Sequence, residues 1–253
     1  MIITYHSNGQ LNIDSLFGSM KSYNLIKKSE NSGFTELTFN KENENLTYQF
    51  TTDNNGKIAD NVWGNCLLIL KKDSIGRLIE QHTYNKKGNL FGADSPPVIK
   101  IKYRDDVHIK QTDYYNSNIS FVERIDVYYD SIGREIALIG YDKNLNMTTK
   151  QTTYYLDSDN SKIKKFYDSN NQLTINDCGV SIWYTRTDKV YGFEVERRYL
   201  DKDSNLVDCV HDEPGIKFAY NIATPNGKNK EWKMTYYNKN GKIVRDFIFK
   251  HEE

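Results

Sequence analysis

Apolar and polar residues along this chain alternate in short stretches, broken every dozen or so residues by clusters of Asp, Asn, Ser and Gly. Alternation is the period of a strand, because successive side chains point to opposite faces. Residues 119–129 place Ile119, Phe121, Ile125, Val127 and Tyr129 on one face. Residues 146–155 offer only Met147 and Tyr155 on one face and Tyr154 on the other. That middle stretch predicts a thin sheet, wet in places on both sides. The longest clean apolar run is Cys66–Leu70, which reads as a buried strand. Gly92–Pro97 is the strongest loop signal, since Pro cannot donate to a ladder. Helix is expected only as a short piece within Asp14–Lys28.

A repeat underlies the alternation. It consists of an aromatic, then Asp or Asn, two polar residues, Gly, any residue, and an aliphatic. Tyr84–Leu90 and Tyr237–Ile243 show it in full, and Tyr5–Leu11 is a third copy with His6 in the Asp place. Thr52–Ile58 and Lys72–Leu78 keep the Asp and Gly without the aromatic. Tyr103, Tyr115, Tyr129, Tyr141, Tyr155 and Tyr167 follow one another at 12, 14, 12, 14 and 12 residues. A four-residue turn then leaves about 8–10 residues of strand, roughly 26–33 Å at about 3.3 Å each. Each unit is therefore one strand plus one turn. Asp or Asn opens the turn by bonding the backbone two residues on, and Gly closes it at positive φ. The aromatic and the aliphatic flank the turn as a cross-strand pair. Copies lacking Gly are expected to use Asn, as at Asn170-Asn171, or a longer loop, as at Asp157–Ser161. A longer repeat relates residues 63–103 to 178–220 at an offset of about 115, matching Gly64 to Gly179 and Asp73 to Asp188.

Composition agrees with strands. Of 253 residues, 19 are Tyr, 27 are Asn and only 5 are Ala, the best helix former. Apolar residues make up 38%, a low share, but their periodic spacing and the 13% aromatics separate the chain from disordered sequences. Lys+Arg and Asp+Glu are both 34, which argues against nucleic acid or an anionic membrane as partner. No stretch approaches the roughly 20 apolar residues of a membrane span. No basic, apolar leader opens the chain, so a cytoplasmic location is expected, with leaderless export leaving no mark. Cys66, Cys178 and Cys209 are odd in number and lack a CxxC, which points to free thiols.

The segments Tyr129-Asp130-Ser131-Ile132-Gly133-Arg134-Glu135-Ile136 and Asp73-Ser74-Ile75-Gly76-Arg77-Leu78 resemble the YDxxGRL core of RHS/YD repeats. Glu196–Leu206 is similar to related bacterial repeats and to MORN-variant hairpin repeats. The resemblance covers about residues 50–253, with a shorter period than RHS repeats and with several Gly residues missing. It implies β-sheet scaffolds and interaction surfaces. The expected fold is all-β: an antiparallel β-meander repeat sheet, strongly curved or twisted, elongated, with little helix. Residues 1–49 form an N-terminal β segment with room for the short helix. Residues 50–175 form a first YD-like block, and 176–253 a second, continuous with the first. Exposed terminal strands would be able to pair between chains.

Catalytic and metal motifs are missing from the pattern. His6, His82, His108, His211 and His251 are scattered, with no HExxH. Cys209 and His211 share one strand face and read as a surface strand. Asp157, Asp159 and Ser161, like Asp201, Asp203 and Asn205, have the first spacings of a Ca²⁺ loop but lack its Gly and its closing Glu, so they read as turns. No enzyme activity, cofactor or metal is expected. The aromatics are the functional lead: Trp63, Trp183 and Trp232, with Tyr114, Tyr128, Tyr154 and Tyr236 from the Tyr doublets, are the candidate binding residues. The structural alternative is cross-strand ladders holding a thin sheet. The reading is a non-enzymatic scaffold for a protein partner, an immunity- or antitoxin-like role being one form of it. A carbohydrate or cell-wall binding module is the alternative, and an unrecognised hydrolase the second.

Overall fold

The computed structural model describes residues 10–20, 23, 25–31, 34–41, 45–92, 95–189, 192–210, 216–222 and 231–250. The Tyr5 copy of the repeat, the surroundings of His211, and His251 lie outside these. One α-helix, α1 (Ile13–Met20), precedes the strands β1 (Leu25–Asn31), β2 (Phe34–Lys41), β3 (Leu46–Thr52), β4 (Leu67–Lys72), β5 (Leu78–Tyr84), β6 (Val98–Arg104), β7 (Ile109–Tyr115) and β8 (Phe121–Tyr129). Then come β9 (Glu135–Tyr141), β10 (Met147–Leu156), β11 (Ser161–Tyr167), β12 (Ile182–Thr187), β13 (Glu194–Leu200), β14 (Ile216–Ile222), β15 (Glu231–Tyr237) and β16 (Ile243–Lys250). All are hydrogen-bonded in chain order into one sheet of sixteen strands. The fold is the all-β antiparallel meander of a repeat, with little helix. Contacts divide the chain into two compact units, residues 1–126 with 142–145, and residues 127–141 with 146–253.

One side-chain oxygen organises each turn. Asp53 Oδ1 accepts from the amides of Asn55 (2.8 Å) and Lys57 (3.0 Å). The same two bonds, to residues two and four on, recur at Asn61, Asp73, Asn85, Asn116 and Asp130. They recur again at Asp168, Asn176, Asp201 and Asn238. The backbone closes around that oxygen: Gly56 donates to the Asp53 carbonyl at 2.9 Å, and Asp53 donates to the Lys57 carbonyl at 2.8 Å. The third residue after the Asp or Asn must then be left-handed. Gly fills that place at 56, 76, 88 and 133, for example. Asn171 (φ 60°) is the expected substitute, because Asn tolerates this region. Ile119 (φ 59°), Leu145 (φ 63°) and Ser204 (φ 67°) fill it without either Gly or a longer loop. The turn's hydrogen bonds outweigh their backbone preference.

The two units repeat one plan internally. β3 and β11 begin 115 residues apart, at 46 and 161, and β5 and β13 begin 116 apart, at 78 and 194. Thr52 bridges Ile58 as Tyr167 bridges Leu173, and Tyr84 bridges Leu90 as Leu200 bridges Leu206. The residue before the turn and the aliphatic six later do face each other. After the first bridge in each unit the chain makes a second Asn-led turn, at Asn61 and at Asn176, before rejoining the sheet.

In the first unit the core lies under α1. Asn12 caps it, its Oδ1 accepting from the Ser15 amide at 3.0 Å. Ile13, Leu16, Phe17 and Met20 form one apolar stripe, all buried. They pack on Phe39, Tyr48, Phe50, Leu67 and Ile69 of the sheet. Phe17 meets Phe50 at 5.0 Å between ring centroids. Leu11 docks beside them with its amide bonded to the Gly88 carbonyl at 3.0 Å. The second unit holds two smaller clusters, Val195–Trp232–Met234–Tyr236 and Val180–Tyr199–Cys209. Neither cluster draws on β6–β10, where Val98, Thr112, Gly140 and Thr153 are the buried residues. There Lys and Arg side chains lie over neighbouring rings instead, Lys100 over Tyr115 at 5.1 Å and Lys150 over Tyr167 at 5.3 Å.

Two stability measurements check the turn argument. Gly76 has open space around it, so Gly76→Ala carries only the left-handed penalty, about 1–2 kcal/mol. A Cβ at Gly88 would sit 1.9 Å from the Leu11 carbonyl oxygen, so Gly88→Ala is expected to cost clearly more in chemical denaturation. In the opposite direction, Ile119→Gly removes a similar left-handed penalty but adds roughly 0.5–1 kcal/mol of unfolded-chain entropy. The net expectation is stabilisation of up to about 1 kcal/mol; a loss of stability would show that the Ile119 side chain contributes contacts that outweigh its backbone strain.

Candidate functional site

In the second unit a hollow lies on β11, β12 and β13. Register places Tyr184 opposite Ile163 and Arg198, Ile182 opposite Leu200, and Arg186 opposite Glu196. These side chains share one face and line a hollow of about 600 Å³ together with Asp159. Ile163, Ile182 and Leu200 give it an aliphatic floor. Glu196 is 6% exposed, and its two carboxylate oxygens are held from either side. Arg186 Nε donates to Oε2 at 3.0 Å, and Arg198 Nε donates to Oε1 at 2.8 Å. Arg198 also lies over the Tyr184 ring at 6.0 Å. The buried carboxylate thus fixes two half-exposed guanidinium groups beside an apolar floor. Such a set suits recognition, because aromatic and Arg anchors over an apolar patch carry much of the energy of protein interfaces.

Two further clusters come from the Asp-Ser-Ile-Gly-Arg turns. Arg77 Nε donates to Asp73 Oδ2 at 2.8 Å and Nη1 to Asp105 Oδ1 at 2.7 Å, with the guanidinium 4.1 Å from the Tyr103 ring centroid. Arg134 repeats this with Asp130, Asp157 and Tyr155, 4.3 Å from that ring. The Arg that follows the Gly of these turns therefore engages a neighbouring strand's turn and ring. The Arg77 side chain, with the Arg77 and Ile75 amides, holds the Asp73 carboxyl below the usual carboxylate range. The Arg134 amide and side chain do the same for Asp130. Asp126 moves the other way, because burial penalises its charge, and its Oδ1 has no partner. Burial also pushes the Cys66 thiol up to about 12, which keeps it protonated and a poor nucleophile at neutral pH.

The seven aromatic candidates are not brought together. Trp63 is 61% exposed on a turn of the first unit, and Tyr154 is 51% exposed on β10. Tyr114 and Tyr128 are half-buried on β7 and β8. Trp232 and Tyr236 are buried core residues at 5% and 9% exposure. Trp183 is half-buried on the face of β12 opposite the hollow, edge-on to Tyr199 at 5.2 Å. Sequence reasoning missed Arg186, Glu196 and Arg198. The available signal was the spacing Ile182-x-Tyr184-x-Arg186, which assigns one face but not the strand it pairs with. Among the described residues no group of three or more His, Cys, Asp or Glu is placed to hold a metal ion. Asp201 serves its own turn, accepting from the amides of Asp203 and Asn205, and Asp159 accepts from the Ser161 amide.

The fold defines an all-β protein built from a repeated strand-and-turn unit. No protein-family model and no curated protein matches the chain. Among solved structures, a porin-like protein from Bacteroides uniformis ATCC 8492 is similar over 85% of this chain and 94% of that one, at 9% identity and a TM-score of 0.26. A likeness of that size carries no argument about fold or function. No helix among the described residues is long and apolar enough to cross a membrane.

The carboxylates set a pH dependence of stability. Asp73 and Asp130 have depressed values in the folded chain, so their contribution is complete above the unfolded value of about 3.9 and is lost as pH falls through the lower folded value. Asp126 has the opposite sign: its raised value means that it costs stability when ionised, and protonation relieves that cost. The thermal midpoint is expected to hold down to about pH 5 and to fall below about pH 4. Asn already opens several of these turns, so Asp73→Asn with Asp130→Asn should preserve the turns yet flatten the acid limb. An unchanged acid limb in that double variant would assign the loss to other carboxylates.

Proposed function

We propose that the protein is a non-enzymatic repeat scaffold that binds a protein partner through the hollow on β11–β13. The observation that carries this reading is the buried Glu196 gripping Arg186 and Arg198 beside the floor of Ile163, Ile182 and Leu200. Pre-ordered guanidinium groups lose little rotamer freedom on binding, which favours affinity. Arg186 uses its Nε on Glu196 and retains its terminal N–H groups for a partner's carbonyl or carboxylate oxygens. The partner segment that fits is an apolar side chain flanked by such acceptors. The placement of Trp232 and Tyr236 in the core weighs for a protein partner over sugar stacking, which uses exposed rings in a row. An immunity- or antitoxin-like role is a specific form of this proposal, drawn from the YD-type resemblance.

The test uses the tagged full-length chain to capture partners from extract of the source cells, followed by titration of the retained protein. The wild type is expected to retain one protein in stoichiometric amount. The double variant Tyr184→Ser, Arg198→Ala should weaken it at least tenfold with unchanged far-ultraviolet dichroism, and with a lower thermal midpoint because Glu196 is left with Arg186 alone. Trp63→Ser, in the other unit, should leave the affinity as it is. Equal retention by the hollow variant, or binding to glycans rather than protein, would overturn the proposal.

A further inference from the structure

The opposite face of the same three strands carries a second, smaller cavity. Lys162 pairs directly with Thr185, and Lys164 with Trp183. These four residues and Glu194 line a pocket of about 150 Å³. Residues 182, 184 and 186 point into the larger hollow, so 183 and 185 belong to the other side of the sheet.

Three features of the pocket agree. Thr185 is 6% exposed and its Oγ1 has no hydrogen-bond partner. The Trp183 indole Nε1, a donor only, is also buried without one. Buried polar atoms left unpaired are costly, so two in one small pocket call for an acceptor. The third feature is charge. Neither Lys162 nor Lys164 forms an ion pair or hydrogen bond with a described residue, although both are half-buried. The one acidic group in the lining is Glu194, whose Oε1 is 2.8 Å from Arg197 Nη2 and is thereby neutralised. Arg197 lies 5.5 Å from the Trp183 ring, so the Glu194–Arg197 pair is net neutral beside the pocket and the two ammonium groups are its surplus charge.

We infer that the Trp183–Thr185 pocket binds a small oxyanion, a carboxylate or a phosphate. Its volume holds a group of a few heavy atoms and excludes a nucleotide or an oligosaccharide. The two ammonium groups supply the attraction. The indole N–H and the threonine hydroxyl supply the directed donors. Lysine stems directly across the strand from both donors form the lid, and their rotatable bonds let an entering anion reach the covered atoms. This site is independent of the hollow on the other face, and its test does not involve the protein partner.

The experiment titrates the full-length chain with inorganic phosphate and, separately, with acetate, against sodium chloride at matched ionic strength. Tryptophan emission and the thermal midpoint are the readouts. A saturable emission change is expected with at least one of the two anions and not with chloride, together with a rise in midpoint. The arm that responds identifies the headgroup chemistry. Trp183→Phe removes the indole N–H and the reporter together, so its readout is the thermal midpoint, whose anion-induced rise is expected to weaken. Lys162→Gln with Lys164→Gln is expected to weaken binding at least tenfold while the ligand-free midpoint and far-ultraviolet dichroism stay unchanged. Absence of a saturable response to both anions, or an equal midpoint rise in the lysine variant, would overturn the inference.

Discussion

The structure depends on one hydrogen-bond acceptor used again and again. In each regular turn a single Asp or Asn oxygen accepts the amides two and four residues on, and the backbone closes around it. That bond pair reverses the chain within four residues, so each strand can lie beside its predecessor. A sheet made this way needs only local contacts: every strand pairs with the strand before it and the strand after it. Such local pairing spares the chain the loop-closure entropy of distant contacts. It also explains how a chain with few apolar residues folds, because order is supplied turn by turn as well as by a core.

The constraint has a consequence for the aromatics. A single sheet has two faces to cover, and this chain has apolar residues enough to cover only parts of them. α1 covers β2–β5 in the first unit, and Trp232, Met234 and Tyr236 build a cluster in the second. Elsewhere tyrosines serve as platforms for cations: Arg77 on Tyr103, Arg134 on Tyr155 and Lys165 on Tyr154. A ring pressed under a guanidinium or ammonium group gains roughly 0.5–1 kcal/mol at an exposed site and shields the sheet from water. Arg77 and Arg134 do both at once, each lying on a ring while gripping the Asp that opens its own turn.

Much of this was legible in the sequence. The turn chemistry, the meander, the thin middle and the equivalence of Gly64 with Gly179 all follow from spacing, because the interactions that make them are local. α1 was legible as a short helix, yet its span was not. Asn12 caps it, and β1 takes over from Leu25, within the stretch Asp14–Lys28 that composition alone left to helix. Left-handed Ile119 and Leu145 were not legible either, because propensity disfavours both and only the surrounding hydrogen bonds hold them there.

The candidate site was harder to read for a related reason. Alternation assigns a residue to a face, but the partner across the strand depends on register, and register here is set by the loop between β11 and β12. That loop contains two turns, one led by Asp168 and one by Asn176. It brings Lys162 opposite Thr185 and Ile163 opposite Tyr184. A slip of one residue would exchange the two faces, mixing the Glu196 clamp with the unpaired Trp183 and Thr185. The makeup of both faces of β11–β13 therefore rests on the same turn oxygens that build the fold. The two faces differ in kind because register keeps every clamp residue on one side and every unpaired donor on the other.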